Sequence, residues 1–128
     1  LKSNYEELYP LGAASIHEKN KFDKFHTIEV ERKKLDDVLI DKNIGFIKID
    51  VEGHEKEVIA GSKKIISENR PILLVEIEER HSKNKVIDTI NYINNLGYAS
   101  FFVSKNELIE TKNLESFNNI NNFIFKSQ

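Results

Sequence analysis

Hydrophobic and polar positions alternate with a period of two in the stretch GFIKIDVEG, residues 45–53. Ile47, Ile49 and Val51 fall on one side of an extended chain, and the charged residues fall on the other side. β-Branched and aromatic residues are typical of strands, and the run is too short for a helix of its own. The pattern predicts a strand that buries one face and has a charged carboxyl end.

A helix and a second strand follow directly. Four apolar side chains form one stripe along a single helix predicted at residues 54–69: Val58, Ile59, Ile65 and Ile66. We expect Gly61, inside this helix, to allow close packing on the sheet. Arg70-Pro71 ends the helix, because the residue before a proline disfavours helical backbone. Residues 72–79, ILLVEIEE, then predict a second buried strand that also ends in acids.

A strand, a helix and a second apolar strand in succession are typical of a parallel pair joined by a crossover. The carboxyl ends of parallel strands meet at the same edge of a sheet, and ligands bind beyond that edge in open α/β sheets. We therefore expect Asp50 and Glu52 to lie beside Glu76 and Glu78. This is where the sequence predicts a functional site.

Six further elements follow from the same criteria: strands at 26–32, 98–104, 107–110 and 121–126, and helices at 33–42 and 83–96. No helix separates the last three strands, so we expect them to pair antiparallel. We interpret the chain as one domain, irregular over residues 1–25 and with an α/β core over residues 26–128.

Composition narrows the class of protein. The 128 residues suffice for one domain with a core. A net charge of −2 gives no electrostatic reason to expect a nucleic-acid partner. The absence of cysteine excludes disulfides and thiolate metal sites and suits a reducing cytoplasm, and no apolar run reaches the ~20 residues of a membrane span. The chain contains no methionine, so we expect coding sequence upstream of Leu1.

The segments IDVEGHEKEVIAGSKKI and RPILLVEIEE resemble the FkbM family of S-adenosylmethionine-dependent methyltransferases, whose pattern is close to IKIDVEG-x-E, a glycine six residues on, and RP-x-x-x-x-E. The matching residues are Lys48, Asp50, Glu52, Gly53, Glu55, Gly61, Arg70, Pro71 and Glu76. Leu35-Asp36-Asp37 and Leu96-Gly97-Tyr98 are similar to two further family segments. His54 and Ser62 depart from the pattern.

This resemblance implies a partial class I methyltransferase sheet, Rossmann-like, with parallel strands, helical crossovers and a terminal antiparallel pair. It implies S-adenosylmethionine as cofactor and O-methylation of a sugar or small natural product. The five glycines form no GxG or GxGxxG turn, so the resemblance covers the carboxyl-terminal half of such a fold. We therefore assign no cofactor-binding residues.

The resemblance and the strand ends together give Asp50, Glu52, His54 and Glu76 as candidate catalytic residues. Three interpretations stay open for them. The acids can be structural, with Lys48 paired to Asp50 or Glu76, and Glu52 and Glu55 capping the next helix.

Asp50, His54 or Glu76 can instead take the proton of an acceptor hydroxyl. Alternatively, His54 can join Asp50, Glu76 or His81 in holding a divalent metal, although we predict no metal site because no close ligand pair such as HxxxH is present.

A rival hypothesis is a non-catalytic fragment or interaction module that binds no cofactor. In the complete fold that the resemblance implies, another strand pairs with the strand at Phe46–Val51. Without that strand, Phe46–Val51 becomes an apolar sheet edge, and open edges favour pairing with another chain. We therefore expect a homodimer through this edge, or its coverage by the amino-terminal residues.

Overall fold

The structure is a computed structural model that describes residues 30–40, 42–78, 85–114, 117 and 119–128. Leu1–Arg32 and Lys33–Gln128 form two separate units, and every element below belongs to the second. The predicted strand at 26–32 lies outside the described residues except for its last three, which are not in a strand. The predicted division at residues 25 and 26 also lies outside them.

Four helices and five strands are described in the second unit. They are α1 (Leu35–Val38), β1 (Phe46–Ile49), α2 (Glu55–Ala60), α3 (Lys63–Asn69), β2 (Ile72–Glu76), α4 (Lys85–Asn94), β3 (Tyr98–Ser104), β4 (Glu107–Glu110) and β5 (Asn122–Ser127), with a short 3₁₀ helix at Thr111–Asn113. The predicted bounds of β3 and β4 are confirmed. The helix predicted at 33–42 is shorter than expected, and the predicted start of α4 lies outside the described residues.

The strands form one sheet in the order β1-β2-β5-β3-β4. β1 and β2 are parallel, as predicted, and the other three neighbouring pairs are antiparallel. The mixed α/β class is therefore confirmed, whereas the mostly parallel arrangement with an antiparallel pair at its end needs correction. β4 occupies one side of β3 as a hairpin, so β5 takes the other side and enters the sheet between β3 and β2.

The sheet has one face that carries the core. Eight side chains on this helix face are buried: Ile49, Leu73, Val75, Ile77, Tyr98, Phe102, Phe123 and Phe125. They form one cluster with Ile59, Ile66, Val86, Ile90 and Ile93 from the helices. The apolar stripe predicted for residues 54–69 and the buried side predicted for β1 are confirmed, whereas β2, predicted as a buried strand, leaves Ile72 41% exposed.

The opposite side of the sheet, here called the open face, is also apolar. Its apolar side chains are exposed or half-buried: Phe46, Ile72, Leu74, Phe101, Val103, Leu108 and Ile124. Phe46 and Val103 are 55% and 60% exposed. None of the open-face residues belongs to the core cluster of the described chain.

The single helix predicted at residues 54–69 is two helices, α2 and α3, separated at Gly61 and Ser62. The backbone N–H of Gly61 closes α2 by donating to Glu57 at 2.9 Å. A Cβ on Gly61 would meet the Glu57 carbonyl and the Lys34 side chain, both at 3.5 Å. Because these neighbours are not sheet residues, the predicted packing of Gly61 on the sheet is wrong.

Asp36 of α1 explains why a new helix begins after the break. Its two carboxylate oxygens accept hydrogen bonds from the backbone N–H groups of Lys64 and Ile65, each at 3.0 Å. These are N–H groups of the first turn of α3, which have no partner within that helix. A carboxylate supplied from 28 residues away therefore caps α3.

Candidate functional site

The carboxyl ends of β1 and β2 lie side by side at one edge of the sheet. Ile49 pairs with Val75, and Asp50 and Glu76 are the next residues on their strands. Side chains alternate along a strand, so both carboxylates are on the open face, in line with Lys48 and Leu74. The prediction that acids of the two strands end at one edge is thereby confirmed for Asp50 and Glu76.

Lys48 connects these two acids electrostatically. Its Nζ lies 3.0 Å from Asp50 Oδ2, and the two side chains are 54% and 46% exposed. The hydrogen bond with Asp50 and the charge of Asp50 raise the pKa of Lys48, and the charge of Glu76 adds to the effect. We call Lys48, Asp50 and Glu76 the acidic rim. The predicted pairing of Lys48 with Asp50 is confirmed.

A left-handed turn follows the rim directly. Glu52 and Gly53 have φ of +45° and +107°. Left-handed backbone costs a non-glycine residue about 1–2 kcal/mol, so Glu52, which is exposed, is held in an unfavourable conformation. Such strain clusters at functional sites.

Glu55 fixes the turn. It is 1% exposed, and its Oε1 accepts the Gly53 backbone N–H at 2.6 Å. Glu55 is the first residue of α2, so its side chain reaches back to the turn that precedes its own helix. The sequence predicted that Glu55 caps the following helix, whereas this hydrogen bond goes to the turn that precedes the helix.

His54 occupies the residue between the turn and α2. Its carbonyl accepts the Val58 N–H at 3.1 Å, and its half-buried side chain makes no capping hydrogen bond to α2. His81, the other histidine considered as a metal ligand, lies outside the described residues. Within residues that the structure does describe, no group of three acids or histidines is arranged to hold a metal ion.

A second cluster was not predicted from the sequence as a unit. Arg70, which ends α3 at φ +49°, donates to the carbonyls of Leu96 and Gly97 at 2.7 and 2.5 Å. Its guanidinium lies 4.6 Å from the centre of the Tyr98 ring. The Tyr98 hydroxyl in turn donates to the Pro71 carbonyl at 3.0 Å. We call these contacts the arginine clamp, and they tie the end of α3 to the end of α4.

The clamp explains the glycine that follows α4. Gly97 has φ +87°, and a Cβ there would lie 2.9 Å from Arg70 Nη2. The backbone angle therefore requires glycine, and a Cβ would also displace the guanidinium from its place in the clamp. Burial raises the pKa of the Tyr98 phenol, and the charge of Arg70 partly offsets that effect.

Comparison with known families decides the affiliation of the chain. The profile of the methyltransferase FkbM domain matches residues 2–100, which include the acidic rim, the turn and the clamp. The chain belongs to the FkbM methyltransferase family. Comparisons with curated proteins and with solved structures gave no significant match.

Several motif residues of this FkbM-family chain, besides those of the turn, fall into two groups. Lys48, Asp50 and Glu76 form the rim, where they remain open to solvent or half-buried. Arg70-Pro71 and Gly97-Tyr98 meet in the clamp, where they join helix ends. The sequence resemblance gave no means of telling the groups apart, because both consist of charged and small residues at fixed spacing.

None of the described helices is long and apolar enough to cross a membrane.

Proposed function

We propose that this FkbM-family chain takes part in S-adenosylmethionine-dependent O-methylation of a sugar or small natural product, with the acidic rim at the acceptor crevice. The observation that carries the proposal is the position of Asp50 and Glu76 at the carboxyl ends of adjacent parallel strands. That is the ligand-binding edge of open α/β sheets. The left-handed turn at Glu52 and Gly53 is the accompanying strained segment.

The residues of this chain have separate roles in the proposal. Asp50 and Glu76 accept hydrogen bonds from neighbouring hydroxyl groups of the acceptor and so hold the reacting oxygen in line, and Lys48 fixes the Asp50 carboxylate. The hydroxyl proton leaves as the new bond to oxygen forms, so a base must be within hydrogen-bond reach. His54, at the start of α2, is the candidate base that accepts this proton. Glu52 borders the crevice.

The negative charge of the acidic rim is complementary to the positive charge of the cofactor. S-adenosylmethionine supplies an activated methyl group on a sulfonium cation, and two carboxylates with one lysine leave a formal negative charge beside it. The five glycines of the sequence form no GxG or GxGxxG pattern of the kind that holds a cofactor in Rossmann-like folds. We therefore assign the rim to the methyl-transfer crevice and no residue to the adenosine.

Calorimetric titration of the chain with S-adenosylmethionine and S-adenosylhomocysteine tests this proposal, since the second compound lacks the sulfonium charge. We expect micromolar binding of both and a preference for the cation of roughly fivefold. Asp50→Asn and Glu76→Gln should each reduce that preference. Glu57→Gln, an exposed acid on α2, is the matched control and should preserve it. Absence of binding to both compounds would refute the proposal.

The open face favours a second candidate function, a non-catalytic interaction module. β1 is an edge strand of the described sheet, and Phe46 and Ile72 are neighbours that are 55% and 41% exposed. Open edges and apolar patches favour association. The homodimer predicted through Phe46–Val51 thus remains a proposal.

Sedimentation velocity tests that dimer. The chain should sediment as a dimer, and Phe46→Lys should convert it to a monomer. Lys56→Glu, an exposed change on α2, should leave the dimer intact. A monomeric wild-type chain would exclude self-pairing at this edge.

A cytoplasmic location remains a prediction from the sequence.

A further inference from the structure

A cavity of about 470 Å³ lies far from the acidic rim, between α4, the start of β3 and the segment after β4. β2 and β3 run in the same direction, because both oppose β5. The start of β3 is therefore at the opposite end of the sheet from Glu76. The cavity is of the size that small-molecule sites have, about 300–1,000 Å³.

Three polar side chains form a hydrogen-bonded chain along one wall. Asn94 Nδ2 donates to Ser100 Oγ at 3.0 Å, and Ser100 Oγ lies 2.5 Å from Thr111 Oγ1. Ser100 and Thr111 are only 3% and 5% exposed. The three residues come from α4, β3 and the 3₁₀ helix, so the fold brings together side chains that are up to 17 residues apart in the sequence.

The hydrogen-bonding capacity of this chain is incomplete. Ser100 and Thr111 share one hydroxyl hydrogen between them, so the other hydroxyl hydrogen has no acceptor among the described residues. Asn94 Oδ1 is buried and likewise has no donor among them. One donor and one acceptor are thus left over in a buried place, which costs free energy unless a partner arrives. A hydroxyl group is complementary to such a pair, because it both donates and accepts.

The rest of the described lining is apolar or neutral, apart from one ion pair. Ile87, Ile90, Leu114 and Phe117 contribute hydrophobic surface. Glu110 and Lys112 also line the cavity and are paired with each other at 2.6 Å. The described residues therefore offer hydroxyl and amide groups on one side, an apolar wall on another, and charges that cancel.

We propose that this cavity binds a neutral pyranose sugar. A pyranose ring presents hydroxyl groups at its edge, for Asn94, Ser100 and Thr111, and carbon-bound hydrogens on its face, for Leu114 and Phe117. A charged ligand would face no uncompensated opposite charge among the described lining residues, and a purely apolar one would leave the polar chain unsatisfied. This site is separate from the acidic rim, so it does not depend on the proposed methyl transfer.

The test is titration of the isotope-labelled chain followed by two-dimensional NMR. The neutral probes are glucose, galactose and N-acetylglucosamine, and the comparison probes are glucuronate, glucosamine and benzene. We expect a neutral pyranose to shift the backbone amide signals of Ser100 and Thr111 in a saturable manner, while those of Asp50 and Gly53 stay in place. Saturable shifts at the cavity with the charged or apolar probes alone would overturn the proposal, as would the absence of shifts with every probe.

Variants make the assignment specific. Ser100→Ala and Thr111→Val should each weaken sugar binding at least tenfold, whereas Ser67→Ala, an exposed serine on α3, should not. Asn91 is exposed and lines the cavity, so Asn91→Trp should block it without disturbing the core if the two hydroxyl variants fail to fold. Unchanged affinity in Asn91→Trp would place any sugar elsewhere and reject the cavity.

Discussion

Replacing Arg70 by alanine removes the whole arginine clamp and should lower the free energy of unfolding by about 2–4 kcal/mol. A hydrogen bond from a charged group contributes about 1.5–3 kcal/mol. The full loss applies to the Leu96 carbonyl. The Gly97 carbonyl keeps a bond from the Gln128 N–H at 3.1 Å, so its share is smaller. The cation–π contact with Tyr98 adds about 0.5–1 kcal/mol. Part of this sum is offset because alanine does not lose the side-chain conformational entropy that arginine loses on folding.

Urea denaturation followed by circular dichroism measures this loss. Arg70→Gly removes the same contacts but relieves the left-handed backbone at φ +49°, so it should destabilise by about 1 kcal/mol less than alanine does. Lys63→Ala, an exposed change on α3, should have almost no effect. A loss for Arg70→Ala below about 1 kcal/mol, the range of a surface ion pair, would refute the clamp as a stabilising element.

Three further predictions concern the cap, the turn and the buried phenol. Asp36→Ala should lower the free energy of unfolding in urea by about 1–2 kcal/mol, because α3 loses its cap; Asp37→Ala, an exposed change beside it, is the control and should cost far less. Gly53→Ala should lower it by about 1–2 kcal/mol through the left-handed backbone alone, and a normal melting temperature would contradict this. Since burial raises the pKa of Tyr98 above its ordinary 10.0, the unfolded chain loses that proton first. Stability should therefore fall as the pH rises above 10.0, and Tyr98→Phe should show a shallower fall in a pH series of thermal melts.

The parts of the fold that depend on local patterns were predictable. Alternation at residues 46–51 identified the strand, its buried side and the acids at its end, because the period of a strand is a local property. The same holds for β3 and β4, whose bounds follow from a run of β-formers and a turn at Lys105-Asn106, both with positive φ. Lys48 and Asp50 were also predictable as a pair, since residues two apart on a strand share a face.

The parts that depend on distant contacts were not predictable. The stripe of apolar residues continues from α2 into α3 and so hides the break, although Gly61 itself disfavours a helix. The carboxylate of Asp36, which comes from a distant part of the chain, stabilises the second helix start. The position of β5 between β2 and β3 likewise depends on which strands it pairs with, and no local pattern specifies its partners. Arg70 and Gly97 illustrate the limit for the site, because their charge and small size are typical of function, and only their mutual contact indicates a structural role.

The open face has a consequence for how the acidic rim would respond to binding. Asp50 and Glu76 lie on the same side of the sheet as Phe46 and Ile72, at the other end of the same two strands. A partner that covered this face as far as the rim would change the solvation and charge around the two carboxylates. In that case linkage requires a ligand at the rim to alter the affinity of the partner by the same factor as the partner alters the affinity of the ligand.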